Sequence, residues 1–176
     1  MAVIPAGAAI AAPLGPPQVL SSASAEMSLA AAGDREGNGV LVLRPGLGEP
    51  VLFERPAGGG WSGPRPLPGR GFRPSLQVAA AGSGAAAITW RQVLAGRYGA
   101  IEALVRDPGG AFSAPLTIVG RSAGGVRHPA VGVDARGGAV VAYQAGTAQV
   151  ARRQGGSRID VALRRPGAGA FGRRSS

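Results

Sequence analysis

Nineteen arginines and no lysine carry the positive charge of this 176-residue chain. A guanidinium is a planar fork of donors that grips carboxylate, sulfate or phosphate at two points, so the residue type itself points to anion recognition. Nine acidic residues leave a net charge of +10, which attracts nucleic acid, acidic glycans and anionic membranes. Arginine without lysine, beside abundant Ala, Gly and Pro, is also what a GC-rich genome writes. That accounts for the choice of cation and leaves its electrostatics untouched.

Other reactive types are sparse. His128 is the single histidine and precedes Pro129; alone it makes no histidine-pair metal site, and a satisfied loop residue is its simplest role. There is no cysteine, which excludes disulfides, thiolate nucleophiles and Cys-ligated metals. Asp34 and Asp134 each stand three residues before a glycine, Gly37 and Gly137, where aspartate accepts backbone N–H bonds in a turn. A calcium loop needs several oxygen ligands in a row, and neither site has them. Gly58-Gly59-Gly60 lacks the lysine and helix of a phosphate loop and reads as a turn. Seven arginines fall in the C-terminal third: Arg152, Arg153, Arg158, Arg164, Arg165, Arg173 and Arg174. No aromatic platform interleaves them, so they support only non-specific, salt-sensitive nucleic-acid binding. Neither a metal nor a cofactor is expected.

These side chains are positioned by a repeat. Gly37-Asn38-Gly39-Val40-Leu41-Val42-Leu43 recurs as Gly84-Ala85-Ala86-Ala87-Ile88-Thr89-Trp90 and as Gly137-Gly138-Ala139-Val140-Val141-Ala142-Tyr143, after 47 and then 53 residues. A second motif follows each: Arg55-Pro56-Ala57-Gly58-Gly59-Gly60-Trp61, Arg106-Asp107-Pro108-Gly109-Gly110-Ala111-Phe112 and Arg165-Pro166-Gly167-Ala168-Gly169-Ala170-Phe171. On this alignment Arg55, Arg106 and Arg165 correspond. Periods near fifty residues signal a repeat architecture. Glycine and proline together make 46 of 176 residues, at the edge of low complexity, but apolar runs recurring in register argue for a folded chain.

Glycine and proline punctuation every 8–12 residues, with no helical spacing, predicts an all-β chain. In the second unit, strands are expected over 75–80, 85–90, 101–106 and 112–119. The run Ala85 to Trp90 is apolar on both faces, as in a strand covered on both sides. Four short antiparallel strands in about fifty residues make a propeller-like blade. Three units follow, over 27–73, 74–127 and 128–176, preceded by an apolar, proline-rich segment, 1–26. Pro64-Arg65-Pro66-Leu67 and Pro115-Leu116-Thr117-Ile118 supply the fourth strands of the first two units; the third stops near Gly172-Arg173-Arg174 and is expected to lack one. Three blades do not close a ring, because propellers typically have about 4–8. The alternatives are an incomplete propeller from a longer protein, self-association that completes it, or an open sandwich-like stack. Residues 1–26 admit two readings, an export signal with Ala23-Ser24-Ala25 at its cleavage site or the tail of a preceding unit. No run reaches the roughly 18 apolar residues of a membrane span.

Val133-Asp134-Ala135-Arg136-Gly137-Gly138-Ala139-Val140-Val141-Ala142-Tyr143 and Arg106-Asp107-Pro108-Gly109-Gly110-Ala111-Phe112-Ser113-Ala114-Pro115 resemble the blade repeats of bacterial exported β-propeller proteins with sialidase-like blades. The likeness covers about residues 27–172 and implies a secreted or cell-surface location. The sialidase Asp-box reads Ser-x-Asp-x-Gly-x-x-Trp/Phe; here Asp34 and Asp134 sit three residues before the glycine, and the second unit has Ala81 instead. A sialidase-like hydrolase would need three convergent arginines, a tyrosine with a glutamate partner and an acid aspartate. Tyr98, Tyr143 and Glu102 are the candidates, although Tyr143 matches Trp90 and is most simply a core filler.

Strand parity sorts the arginines. Loops joining second to third strands, and fourth to the next first, emerge at one edge of an up-and-down blade. They carry Arg44, Arg70, Arg73, Arg91, Arg97, Arg121, Arg127, Arg152, Arg153 and Arg158, with Glu49 the only acid. The opposite edge mixes Arg35, Arg55, Arg106, Arg136, Arg164 and Arg165 with Asp34, Glu36, Asp107 and Asp134. The expectation is a non-catalytic binding or scaffold module that contacts an acidic glycan or acidic protein through Arg91, Arg97, Arg121, Arg127, Arg152, Arg153 and Arg158. A sialidase-like hydrolase and non-specific nucleic-acid binding are the alternatives.

Overall fold

A computed structural model describes Leu20 and residues 27–46, 48–68, 75–93, 99–122, 125–146 and 158–174. Twelve strands are formed among them: β1 Met27–Gly33, β2 Gly39–Pro45, β3 Val51–Arg55, β4 Ser62–Pro66, β5 Gln77–Ala81, β6 Ala85–Val93, β7 Gly99–Arg106, β8 Leu116–Ser122, β9 Val126–Val133, β10 Ala139–Ala145, β11 Arg158–Arg164 and β12 Gly172–Arg174. They make three four-stranded sheets, β1–β4, β5–β8 and β9–β12, each ordered as in the sequence and antiparallel throughout. The chain is all-β; a single short 3-10 turn, Gly82–Gly84, is the only helical element among the described residues.

Three expectations are corrected. The third sheet has a fourth strand, β12, paired through Val161–Arg174, Ala162–Arg173 and Leu163–Gly172; its three residues are too few to leave an apolar pattern. The fourth strand of the middle sheet begins at Leu116, because Phe112 bridges back to Arg106 and Ser113 N–H donates to Val105 O before the strand starts. The first strand of that sheet begins at Gln77 rather than Ser75, whose φ of +60° is a turn conformation.

Register gives the repeat its structural alignment. Gly39 pairs with Arg55, Ala86 with Arg106 and Ala139 with Arg164. Arg164, not Arg165, is therefore the counterpart of Arg55 and Arg106. The third turn is one residue longer than the second, and matching on the aromatic at its end shifts the alignment by one.

The sheets pack face to face. β5 lies on β1 and β2 of the first sheet, and β9 lies on β5, β6 and β7 of the middle one. The middle sheet is covered on both sides, as its doubly apolar strand requires. Ala86, Ile88, Trp90 and Leu104 pack against Val40, Val42 and Leu52. The alternate residues pack the other way: Ile101 and Ala103 meet Val126, Val141 and Tyr143, while Ala87 and Val105 meet Ala139. Ile88, Trp90, Ile101 and Leu104 are fully buried, and each such side chain contributes roughly 1.5–3 kcal/mol of transfer free energy.

Candidate functional site

The turns joining the first and second strands of the three sheets meet at one edge of the stack. In the first sheet, Asp34 Oδ1 accepts the N–H groups of Glu36 (3.0 Å) and Asn38 (2.9 Å), and Oδ2 accepts Asn38 Nδ2 (2.8 Å). Burial raises the Asp34 carboxyl, but these donors and the Gly84 backbone outweigh it and hold the group below its usual value. Asp134 repeats the device, accepting from Arg136 N (2.8 Å) and Gly138 N (2.9 Å). Both aspartates are turn builders. Ala81 holds the same place in the middle sheet, where a 3-10 turn with Ser83 at φ +68° replaces the aspartate loop. The three turns are tied together: Glu36 carboxylate accepts Ser83 N–H, and Ser83 Oγ donates to Ala135 O at 2.7 Å.

Two largely buried arginines clip the sheets to one another at this edge. Arg106 donates through Nε to Gly84 O of its own sheet (2.7 Å) and through Nη1 to Glu54 of the first sheet. Arg164 donates to Gly137 O of its own sheet (2.9 Å) and, through both terminal nitrogens, to Asp107 of the middle sheet (2.9 Å each). Gly84 and Gly137 are equivalent positions, so one clip is used twice. Each carboxylate flanks the arginine of the preceding sheet, Glu54 before Arg55 and Asp107 after Arg106. Glu54 is shared with Arg65, and Arg106 lies 5.0 Å over the Phe112 ring. Burial lowers the Arg106 guanidinium from its ordinary value. The hydrogen bond from Arg164 pulls the Asp107 carboxyl below its ordinary value, against burial. Gly137, at φ +88°, also leaves room for this carboxylate; a Cβ there would overlap Asp107 Oδ1.

The opposite edge holds the arginines expected to bind. Arg91 near the end of β6, Arg121 near the end of β8, Arg127 at the start of β9 and Arg158 at the start of β11 all fall there by register. Arg97, Arg152 and Arg153 lie outside the described residues, as do Arg70 and Arg73. Arg127 is exposed, and its guanidinium makes no hydrogen bond or ion pair with the described residues. Arg91 is half-buried, its Nε 3.1 Å from where a Gly99 Cβ would stand, so the glycine gives the guanidinium its space. Arg158 is already engaged: Asp160 accepts from its Nε (2.8 Å) and Nη2 (3.2 Å), which raises the guanidinium. Arg127 and Arg158 flank β10 in adjacent rows, opposite Gln144 and Ala145.

The remaining candidates separate. His128 is exposed at φ +49° in β9. Tyr143 is buried in the core between the middle and third sheets. Glu102 accepts the Trp90 indole N–H at 3.2 Å. Tyr98 lies outside the described residues. Among the described residues no cluster of His, Asp and Glu could hold a metal ion, and no helix is long and apolar enough to cross a membrane. The inter-sheet clip was missed in the sequence because its arginine and its acid belong to different repeats; its one sequence signal is an arginine ending every third strand. No family model, curated protein or solved structure matches the chain.

Proposed function

We propose that the protein is a non-catalytic binding and scaffold module, built of propeller-like blades, whose arginine edge contacts an anionic partner such as an acidic glycan or an acidic protein surface. The observation that carries this reading is how differently the arginines are used. At one edge Arg106 and Arg164 are buried against carboxylates of neighbouring sheets, while at the other Arg127 stands exposed, with no carboxylate of the described residues against it. A guanidinium that supports no internal contact is available to an external anion. Of the residues the hydrolase alternative would draw on, Tyr143 fills the core, Glu102 accepts the Trp90 indole N–H, and Tyr98 lies outside the described residues.

Retention on immobilised heparin tests the reading. The folded protein is expected to bind at low ionic strength and to elute as salt rises, because the contact rests on charge. A folded protein that passes through at low salt would overturn it.

A further inference from the structure

At the loop edge, Arg91 is drawn into the stack without being bonded there. It stands on β6 on the same face as Ala87, which packs with Ala139, and opposite Ile101, which packs with Val126, so its side chain enters the space between the middle and third sheets. Its Nε lies over Gly99, 3.1 Å from where a Cβ would stand, and a Val126 methyl lies 3.4 Å from the same point. The Nε is enclosed without an acceptor, and the terminal nitrogens bond to no described residue. An enclosed N–H without a partner is costly, and in a folded protein it calls for a reason.

The chain offers Arg91 no partner of its own. The equivalent arginine of the first sheet, Arg44, donates Nη2 to Ser28 Oγ (3.4 Å), directly opposite it on β1. The same register would set Ser75 opposite Arg91, but β5 begins only at Gln77, and Ser75, at φ +60°, has left the ladder. The β6–β7, β8–β9 and β10–β11 connections contain no acid. Asp160, on the facing sheet, is already bonded to Arg158. Arg158 looks the same way as Val126: both share a row with Ala145, two strands and about 10 Å apart. The mouth between the two sheets thus holds Arg158, compensated by Asp160, and Arg91, compensated by nothing described.

We infer that this mouth is an oxyanion site in which Arg91 binds one sulfate or carboxylate group through its terminal nitrogens, and that it is the oriented contact of the arginine edge. The enclosed stem fixes the direction of the guanidinium before any ligand arrives, so little freedom is lost on binding. Exposed Arg127 contributes charge without direction. The planar fork meets two oxygens of one group, which a point charge cannot do. Assigning that group to a polyanion rests on the reading above; the site itself rests on the enclosure of Arg91.

Arginine side-chain nitrogen–proton correlation spectra of the folded protein test this. An enclosed Nε–H exchanges slowly with water, so Arg91 should give a resolved signal, identified by its absence in Arg91→Lys. With sodium sulfate exchanged for sodium chloride at constant ionic strength, that signal is expected to move and to saturate. A shift reproduced by heparin alone identifies a sulfate group, one reproduced by polygalacturonate a carboxylate. Arg91→Lys keeps the charge and loses the fork; with an unchanged circular dichroism spectrum it should bind heparin at least about fivefold more weakly, a larger loss than Arg127→Lys causes. A signal indifferent to sulfate, or Arg91→Lys eluting from heparin with wild type, would overturn the site. Should the protein pass through heparin while the signal still moves with sulfate, the site stands and the polyanion reading falls.

Discussion

The two edges of the stack differ in whether any of their arginines are built into the fold. At the turn edge two are structural: Arg106 and Arg164 are drawn under neighbouring sheets, each held by a carboxylate and a glycine carbonyl. At the other edge, Arg127 is exposed without a partner among the described residues, and Arg158 is satisfied by a residue two positions along its own strand. Charge count alone therefore says little about binding. What matters is whether a carboxylate of the next repeat reaches the guanidinium. The acids are concentrated at the turn edge, where they take up Arg35, Arg106 and Arg164; Arg55, Arg136 and Arg165 of that edge stay exposed, with no carboxylate of the described residues against them.

The sharpest way to break this contrast is Arg164→Ala. The side chain is 5% exposed and makes two bonds to Asp107 and one to Gly137 O. Truncation removes the guanidinium from the carboxylate and the carbonyl between two sheets and leaves Asp107 only the Gly167 N–H, at 3.5 Å. Removing one partner of a buried pair costs several kcal/mol; Asp107 retains some access to water, so the expected loss is about 2–3 kcal/mol in urea unfolding. Lysine should recover only part of it, because a point charge cannot donate to both carboxylate oxygens and to the carbonyl in one plane. A loss below about 0.5 kcal/mol would show that the clip decorates an interface already held by its apolar core.

Acid gives a smaller, graded version of the same break. Asp107 has a lower pKa in the folded protein than in the unfolded chain, chiefly through the Arg164 hydrogen bond. Its contribution is thus complete above the unfolded value of about 3.9 and disappears as pH falls through the lower folded value. Asp34 adds in the same direction, through the Asn38 side-chain amide and its backbone donors, which outweigh the opposing effect of burial. Wild type should lose stability steeply below about pH 4, and Arg164→Ala should lose less over the same interval, since its Asp107 lacks the donor that depressed it. Equal acid losses in the two proteins would mean that the clip is not what titrates.

Most of the architecture is legible in the sequence. Strands recur because Gly37, Gly84 and Gly137 open the same apolar run, and those three runs are β2, β6 and β10. The doubly apolar stretch from Ala85 to Trp90 anticipates a sheet covered on both faces, and Ile88 does pack with Val42 on one side while Ala87 packs with Ala139 on the other. What escapes reading is anything that crosses between repeats. Nothing in the spacing of Glu54, Arg106, Asp107 and Arg164 indicates contact, because each clip depends on how one sheet lies over the next. The third turn's extra residue hides the clip further by aligning Arg165 with Arg106. β12 escapes for a different reason: a strand of one glycine and two arginines has no alternation to detect.

The other side of the contrast predicts almost no effect on stability. Arg127→Ala removes an exposed side chain that no described residue holds, next to Val126, which is buried in the core. Unfolding free energy should change by less than about 0.5 kcal/mol. The same variant should leave heparin at lower salt than wild type, and the slope of log affinity against log salt should shrink by about one, the share of a single guanidinium. Arg164→Ala, compared while still folded, should elute with wild type, because its guanidinium faces a neighbouring sheet rather than solvent. If instead Arg127→Ala is destabilising and elutes unchanged, Arg127 supports the fold and the division between the two edges collapses.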